Sequence, residues 1–220
     1  MAEQVKIKLR DLGPKVNVEV KDIKFPDGKV FTHQYWEKDS MVAAVKVAQQ
    51  WQLKGKDAML QGGVPTWLVA AVVQVINADR AFFYCDYLGK DVELVPLPVG
   101  EVNPEGGIEF NVYEEDDKVY VHYIADPPEV KKHVHTLEQL AKVVVPRIPE
   151  NKHVFLWGIA ATHIQVCLVK SYAPLSKSVS LSNYTDQFLY GAPRFTCTIT
   201  KTAERELGDV EPMYYPEDSE

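Results

Sequence analysis

Leu60-Gln-Gly-Gly-Val-Pro-Thr-Trp-Leu68 and Leu156-Trp-Gly-Ile-Ala-Ala-Thr-His-Ile164 decide the reading of this chain. Each leaves a short apolar run (Ala58-Met-Leu, Val154-Phe-Leu), breaks on glycine, and enters an apolar helix at a threonine. Trp67, Leu68, Ala71, Val72, Val75 and Ile76 make the first helix apolar nearly all round, so it is expected to be deeply buried. Thr162 to Tyr172 reads the same way. Ala81-Phe-Phe-Tyr-Cys and Val179-Ser-Leu are the strands that follow. Strand, glycine turn, helix and strand, met twice, indicate an α/β fold built from an internal repeat. Leu60 aligns with Leu156, Gly62 with Gly158, Thr66 with Thr162 and Val73 with Val169. Upstream, Lys15-Val-Asn-Val matches Lys118-Val-Tyr-Val, with roughly seven extra residues in the first copy.

Outward from these junctions, Val5-Lys-Ile-Lys-Leu and Val16-Asn-Val-Glu-Val alternate as half-buried strands, and Gly13-Pro14 between them predicts a hairpin. Ser40 reads as an N-cap for a helix carrying Met41, Val42, Val45, Ala48 and Trp51, ended by Gly55. Val92-Glu-Leu-Val is a strand, and the prolines and glycines from Pro96 to Gly107 make a linker. Ile108-Glu-Phe-Asn-Val, Val119-Tyr-Val-His-Tyr and Phe195-Thr-Cys-Thr-Ile are strands, and a helix is expected from Thr136 to near Pro146. The expected organisation is an α/β repeat over 1–101, a divergent α/β repeat over 107–202, and an acidic, mobile tail over 203–220 in which Met213-Tyr-Tyr could dock on the body.

The chain has 220 residues, 46% hydrophobic and 25% charged, which is globular composition. Its net charge of −7 is concentrated in the last 18 residues, which hold seven acids and one base, so the remainder is near neutral. A protein that neutralises duplex phosphates would be basic, so duplex nucleic acid is an unlikely partner class on charge alone. The cysteines Cys85, Cys167 and Cys197 are dispersed, with no C-x-x-C, which argues against a disulfide framework or a zinc knuckle. No secretory signal and no apolar run of membrane-spanning length is visible, so a cytoplasmic protein without a membrane partner is expected.

Several residues carry possible chemistry. Gly62, Gly63 and Gly158 allow an anion to approach the backbone at a helix start, with Thr66 and Thr162 as hydroxyl donors; equally, the glycines make tight turns. Asp86, ending an apolar strand, could bind a metal or act as a base, or could serve the turn at Gly89. His163, in the first turn of the second helix, could contact phosphate or move a proton, or could act as a polar cap. Trp67 and Trp157 could stack on a base or fill the core. His133 and His135 could ligate a metal but fit a surface segment better. Cys85 and Cys167 read as inert core.

Gly62-Gly-Val-Pro-Thr-Trp-Leu68, followed by Phe82-Phe-Tyr-Cys-Asp-Tyr-Leu-Gly89, resembles the CRISPR-associated ring nucleases of type III systems. These degrade cyclic oligoadenylate, especially cyclic tetra-adenylate, and look like relatives of the CARF fold. The likeness covers about 35 residues, and the second repeat follows its layout without its motif. It implies two Rossmann-like units forming an intramolecular pseudo-dimer, alone or within a homo-oligomer, with a cyclic oligoadenylate between the paired junctions. It implies metal-dependent cleavage, with Mn2+ as the candidate ion at Asp86. The family histidine near the end of the second helix falls at Asn77, and the second repeat offers Ala173 and Ser182, so the inherited catalytic pair is incomplete. A tandem chain also lets its halves diverge, with Asp86 and Trp67 in one and His163 in the other. Asp86, His163 or Lys170 could then assist attack by a ribose 2′-OH on the adjacent phosphate. A sponge that holds the messenger uncut, or a scaffold whose glycines only turn the chain, are the competing expectations.

Overall fold

The computed structural model of the chain describes residues 2–24, 28–125, 136–182, 195–200 and 202–212. Alternation of Val5 and Ile7 with lysines produces β1 (Glu3–Lys8), a half-buried strand. It is followed by a 3-10 helix, Leu9–Val16, which buries Leu9 and Leu12 and contains Gly13-Pro14. The expected hairpin from Val5 to Val20 is therefore not formed: the segment read as its turn is a short helix packing two leucines. β2 (Glu19–Lys24) instead pairs with β3 (Val30–Tyr35) as a separate antiparallel hairpin. α1 (Lys38–Gln49) buries Met41, Ala44, Val45 and Ala48; Glu37 is its N-cap, and Ser40 is the third-position partner in a reciprocal capping box.

β4 (Lys56–Gln61), α2 (Thr66–Val75), β5 (Arg80–Cys85) and β6 (Lys90–Glu93) complete the first sheet. Its order is β1-β4-β5-β6, with β1, β4 and β5 parallel and β6 antiparallel. The proline- and glycine-rich linker is pinned rather than loose. β7 (Val99–Gly100) and, later, β10 (Val145–Pro146) pair in parallel, and Gly106 lies against the Val143 backbone, where a Cβ would come within 2.9 Å of Val143 Cα.

The second sheet is built from β8 (Glu109–Glu115), β9 (Lys118–Ile124), β11 (His153–Ile159), β12 (Ser178–Ser182), β13 (Phe195–Thr198) and β14 (Val210–Pro212), in the order β14-β13-β12-β11-β9-β8. α3 covers only Leu137–Leu140, since Val143, Val144 and Val145 then favour extended chain over helix. α4 (Thr162–Tyr172) joins β11 to β12. β9, β11 and β12 are parallel and β13 is antiparallel, repeating the directions of β1, β4, β5 and β6. The counterpart of β9 is thus β1 and not the segment at Lys15, whose four-residue match falls partly in the 3-10 helix.

α2 packs on α4, and buried apolar residues from both sheets form one continuous cluster. The segment after Thr202 does not trail: β14 pairs with β13, Lys38 Nζ lies 2.5 Å from Asp209 Oδ1, and Arg205 pairs with Glu211 at 2.6 Å. The second sheet thus runs past residue 202. Met213-Tyr-Tyr lies outside the described residues. No described helix is long and apolar enough to cross a membrane.

Candidate functional site

β4 and β11 both end where a helix begins, and the two helix starts meet. Thr66 Oγ1 and Thr162 Oγ1 are 3.1 Å apart, within hydrogen-bond distance and half-buried. The residues before them, Pro65 and Ala161, adopt nearly the same extended backbone (φ −58, ψ 146 and φ −62, ψ 149). Neither can cap its helix with a side chain, in contrast to the capping boxes of α1 and α3. The first N–H groups of any helix have no acceptor inside it, and its N-terminus carries about half a positive charge. Two uncapped N-termini held together repel one another, and an anion placed between them relieves that repulsion.

The glycines divide into two kinds. Gly63 sits at φ +86 in an exposed turn, and a Cβ there would lie 3.6 Å from Arg10 Cβ. A Cβ at Gly62 would meet only the far edge of the Phe83 ring, at 3.1 Å. Gly158 differs: at φ +151, its added Cβ would fall 1.8 Å from the Tyr123 carbonyl oxygen. That glycine is required by the pairing of β11 with β9, whatever ligand the junction takes. Arg10 was not visible as a site residue in the sequence. It lies two residues past the end of β1, so it emerges at the same carboxyl edge as Gly62 and Gly63, and its stem runs along the Gly63 turn. Only the parallel pairing of β1 with β4 reveals this.

Trp67 is 4% exposed and forms the floor of a partly open pocket of about 250 Å3 with Trp36, Met41, Cys197 and Val210, so in this arrangement it is core and not a stacking platform. His163 is 2% exposed and enclosed at the start of α4. Trp157 stacks on His122, with ring centroids 3.7 Å apart. Asp86 is exposed, and its carbonyl accepts from Gly89 N at 3.3 Å in the β5–β6 turn. It stands apart from any group of potential metal ligands among the described residues, since the group of three found there is Asp117, His153 and Glu204, at the other end of the second sheet. A lone exposed carboxylate is a poor donor set for Mn2+. Asn77, where the resemblance would place a histidine, accepts from Leu53 N at 3.3 Å and braces the loop after α2. Lys170 donates to the Leu94 carbonyl at 2.5 Å, well along α4 from its start.

Cysteine chemistry is disfavoured by burial. It pushes the Cys167 thiol up to about 11 and the Cys197 thiol up to about 12, so both are protonated at neutral pH. Ser178 Oγ lies 2.7 Å from His153 Nδ1, with Glu204 on the other ring nitrogen, a serine–histidine–carboxylate contact that sequence spacing did not suggest. Ser178 is 1% exposed, which closes it to an attacking role on any substrate. His133 and His135 lie outside the described residues. No protein-family model matches the chain, and no curated protein matches it in sequence.

Proposed function

We propose that the chain binds a cyclic oligoadenylate, with cyclic tetra-adenylate the leading candidate, across the paired starts of α2 and α4. On this reading β1-β4-β5-β6 and β9-β11-β12-β13 are two CARF-related, Rossmann-like units arranged as an intramolecular pseudo-dimer. One observation carries it: the 3.1 Å contact between Thr66 and Thr162, which brings two equivalent, uncapped helix N-termini to one place. A ring of alternating phosphates with internal symmetry suits two equivalent donor sets. Gly62, Gly63, Thr66 and Thr162 supply backbone and hydroxyl donors, and Arg10 supplies a cation.

Ring opening is the catalytic extension of this reading and switches off type III CRISPR signalling. A bound ribose 2′-oxygen attacks its neighbouring phosphorus, the bond from phosphorus to the 5′-oxygen breaks, and the proton released by the 2′-hydroxyl ends on that 5′-oxygen. The products are a cyclic phosphate and a free 5′-hydroxyl. Positioning alone supplies much of such a rate. Asp86 is the exposed group nearest in role to a base, and His163 acts only after the start of α4 opens. Asp86 would offer Mn2+ a single carboxylate, since no cluster of potential ligands among the described residues includes it.

The burial of His163 and the structural engagement of Asn77 favour a second reading, a sponge that binds the messenger and leaves it intact. Incubation with cyclic tetra-adenylate, with Mn2+ or with EDTA, followed by chromatography after protein removal, separates them. Linear products exceeding the enzyme in amount establish a ring nuclease. Intact ligand recovered from the protein peak establishes the sponge. Intact ligand that never co-elutes refutes both.

A further inference from the structure

We propose that Asp117, His153 and Glu204 form a site for one divalent transition-metal ion that clamps the C-terminal segment to the base of the second sheet. His153 opens β11, Ser178 opens β12, Asp117 closes the β8–β9 turn, and Glu204 comes from the segment joining β13 to β14. His153 Nε2 lies 3.1 Å from Glu204 Oε2 and 3.5 Å from Asp117 Oδ2. The three ligand atoms all fall within 4.8 Å of one another. Ligands held about 2.0–2.1 Å from a tetrahedral ion sit about 3.3 Å apart, so the two distances from His153 Nε2 are those of an ion's coordination shell, and the exposed carboxylates have the freedom to close on the third.

The hydrogen-bond accounting points the same way. A neutral imidazole has one N–H. If it lies on Nδ1 and is donated to Ser178 Oγ at 2.7 Å, then Nε2 presents a lone pair to two carboxylates. If it lies on Nε2, one donor faces two acceptors. An imidazolium would donate from both nitrogens; a cation at the focus takes the place of its Nε2 proton between the two carboxylates, and Ser178 is then the outer partner that fixes the ring of a metal-bound histidine. His153 is 5% exposed, while the carboxylates of Asp117 and Glu204 are 49% and 68% exposed, which leaves room for water to complete the shell. One imidazole and two carboxylates, without thiolate, suit Zn2+, Co2+ or Mn2+.

Two lysines compete for the same charge. Lys177 Nζ lies 2.7 Å from Asp117 Oδ2, and Lys152 bonds the Asp116 carbonyl nearby. Lys177 occupies one lone pair of that oxygen and leaves the other free for a second partner. β11 is seven residues long, so the site lies about 20 Å from the start of α4 and is independent of the proposed nucleotide site.

The test is titration of EDTA-stripped full-length protein with Co2+, read by visible d–d absorption, and with Zn2+, read by calorimetry and melting temperature. One equivalent per chain and a rise in melting temperature are expected. Glu204→Gln, at an exposed carboxylate whose loss leaves the core intact, and His153→Ala should abolish binding. Ser178→Ala should weaken it by about 10–100-fold. A His133→Gln/His135→Gln variant should bind as the wild type does. Absence of saturable Co2+ and Zn2+ binding overturns the proposal, as does binding that survives Glu204→Gln and His153→Ala or disappears in the His133/His135 variant.

Discussion

Replacing Gly158 with alanine should nearly abolish folding, although the change adds one methyl group in a glycine turn. The ideal Cβ would sit 1.8 Å from Tyr123 O and 2.7 Å from Tyr123 C. The obstruction is backbone, in a strand paired with β11 over seven registered positions from His153–Lys118 to Ile159–Ile124, so no side-chain rotation relieves it. A φ of +151 adds strain of its own for a residue with a Cβ. Overpacking against movable side chains costs about 1–3 kcal/mol; prying a central strand from its neighbour belongs with the exceptional losses above about 4 kcal/mol. Gly62→Ala is the matched control. Its Cβ meets Phe83 Cζ at 3.1 Å, the far end of a side chain, and should cost about 1 kcal/mol. Urea unfolding followed by far-UV circular dichroism reads both. A Gly158→Ala protein within 1 kcal/mol of Gly62→Ala would refute the assignment of Gly158 to sheet pairing and return it to the list of ligand contacts.

Further outcomes follow from the same geometry. Thr66→Val and Thr162→Val each remove one hydroxyl from a half-buried pair; each should weaken cyclic tetra-adenylate binding by up to about tenfold in calorimetry with little change in melting temperature. Arg10→Ala should weaken binding and flatten its dependence on salt, measured as the slope of log Kd against log salt concentration. Native protein should react negligibly with a thiol reagent at pH 8 and fully in guanidinium, because Cys85, Cys167 and Cys197 are all buried. The Asp209 carboxyl is held below its ordinary 3.8, chiefly by its hydrogen bond from Lys38, so its stabilising contribution is present above that value and lost as pH falls through the lowered one. Asp209→Asn should therefore flatten the acid limb of a stability–pH profile.

The strand–glycine–helix junctions were legible because their signals are local: apolar runs of fixed length, glycine, then threonine opening an apolar helix. Both helices, the strands beside them and the meeting of two equivalent junctions follow from that pattern. What was not legible depends on pairing partners. Val5–Leu9 alternates equally well beside Val16–Val20 or beside β4, and only the burial of Leu9 and Leu12 decides for the parallel partner. Arg10 and the Asp117–His153–Glu204 group are assembled by sheet order across up to 87 positions of sequence, and no spacing announces them. Asp86 shows the converse: a carboxylate at a strand end looks chemical in sequence, and here its backbone serves a hairpin turn. The acidic segment after Thr202 looked solvated by composition, yet Asp209 pairs with Lys38 of α1, Glu211 pairs with Arg205 within the segment, and β14 joins the sheet.

The most direct test of the account is isothermal titration of the full-length protein with cyclic tetra-adenylate, in EDTA to suppress turnover. An intramolecular site between α2 and α4 predicts saturable binding at one ligand per chain, with affinity reduced in the Thr66→Val/Thr162→Val double variant. Half a ligand per chain, an unaffected double variant, or no binding heat at any temperature would contradict it.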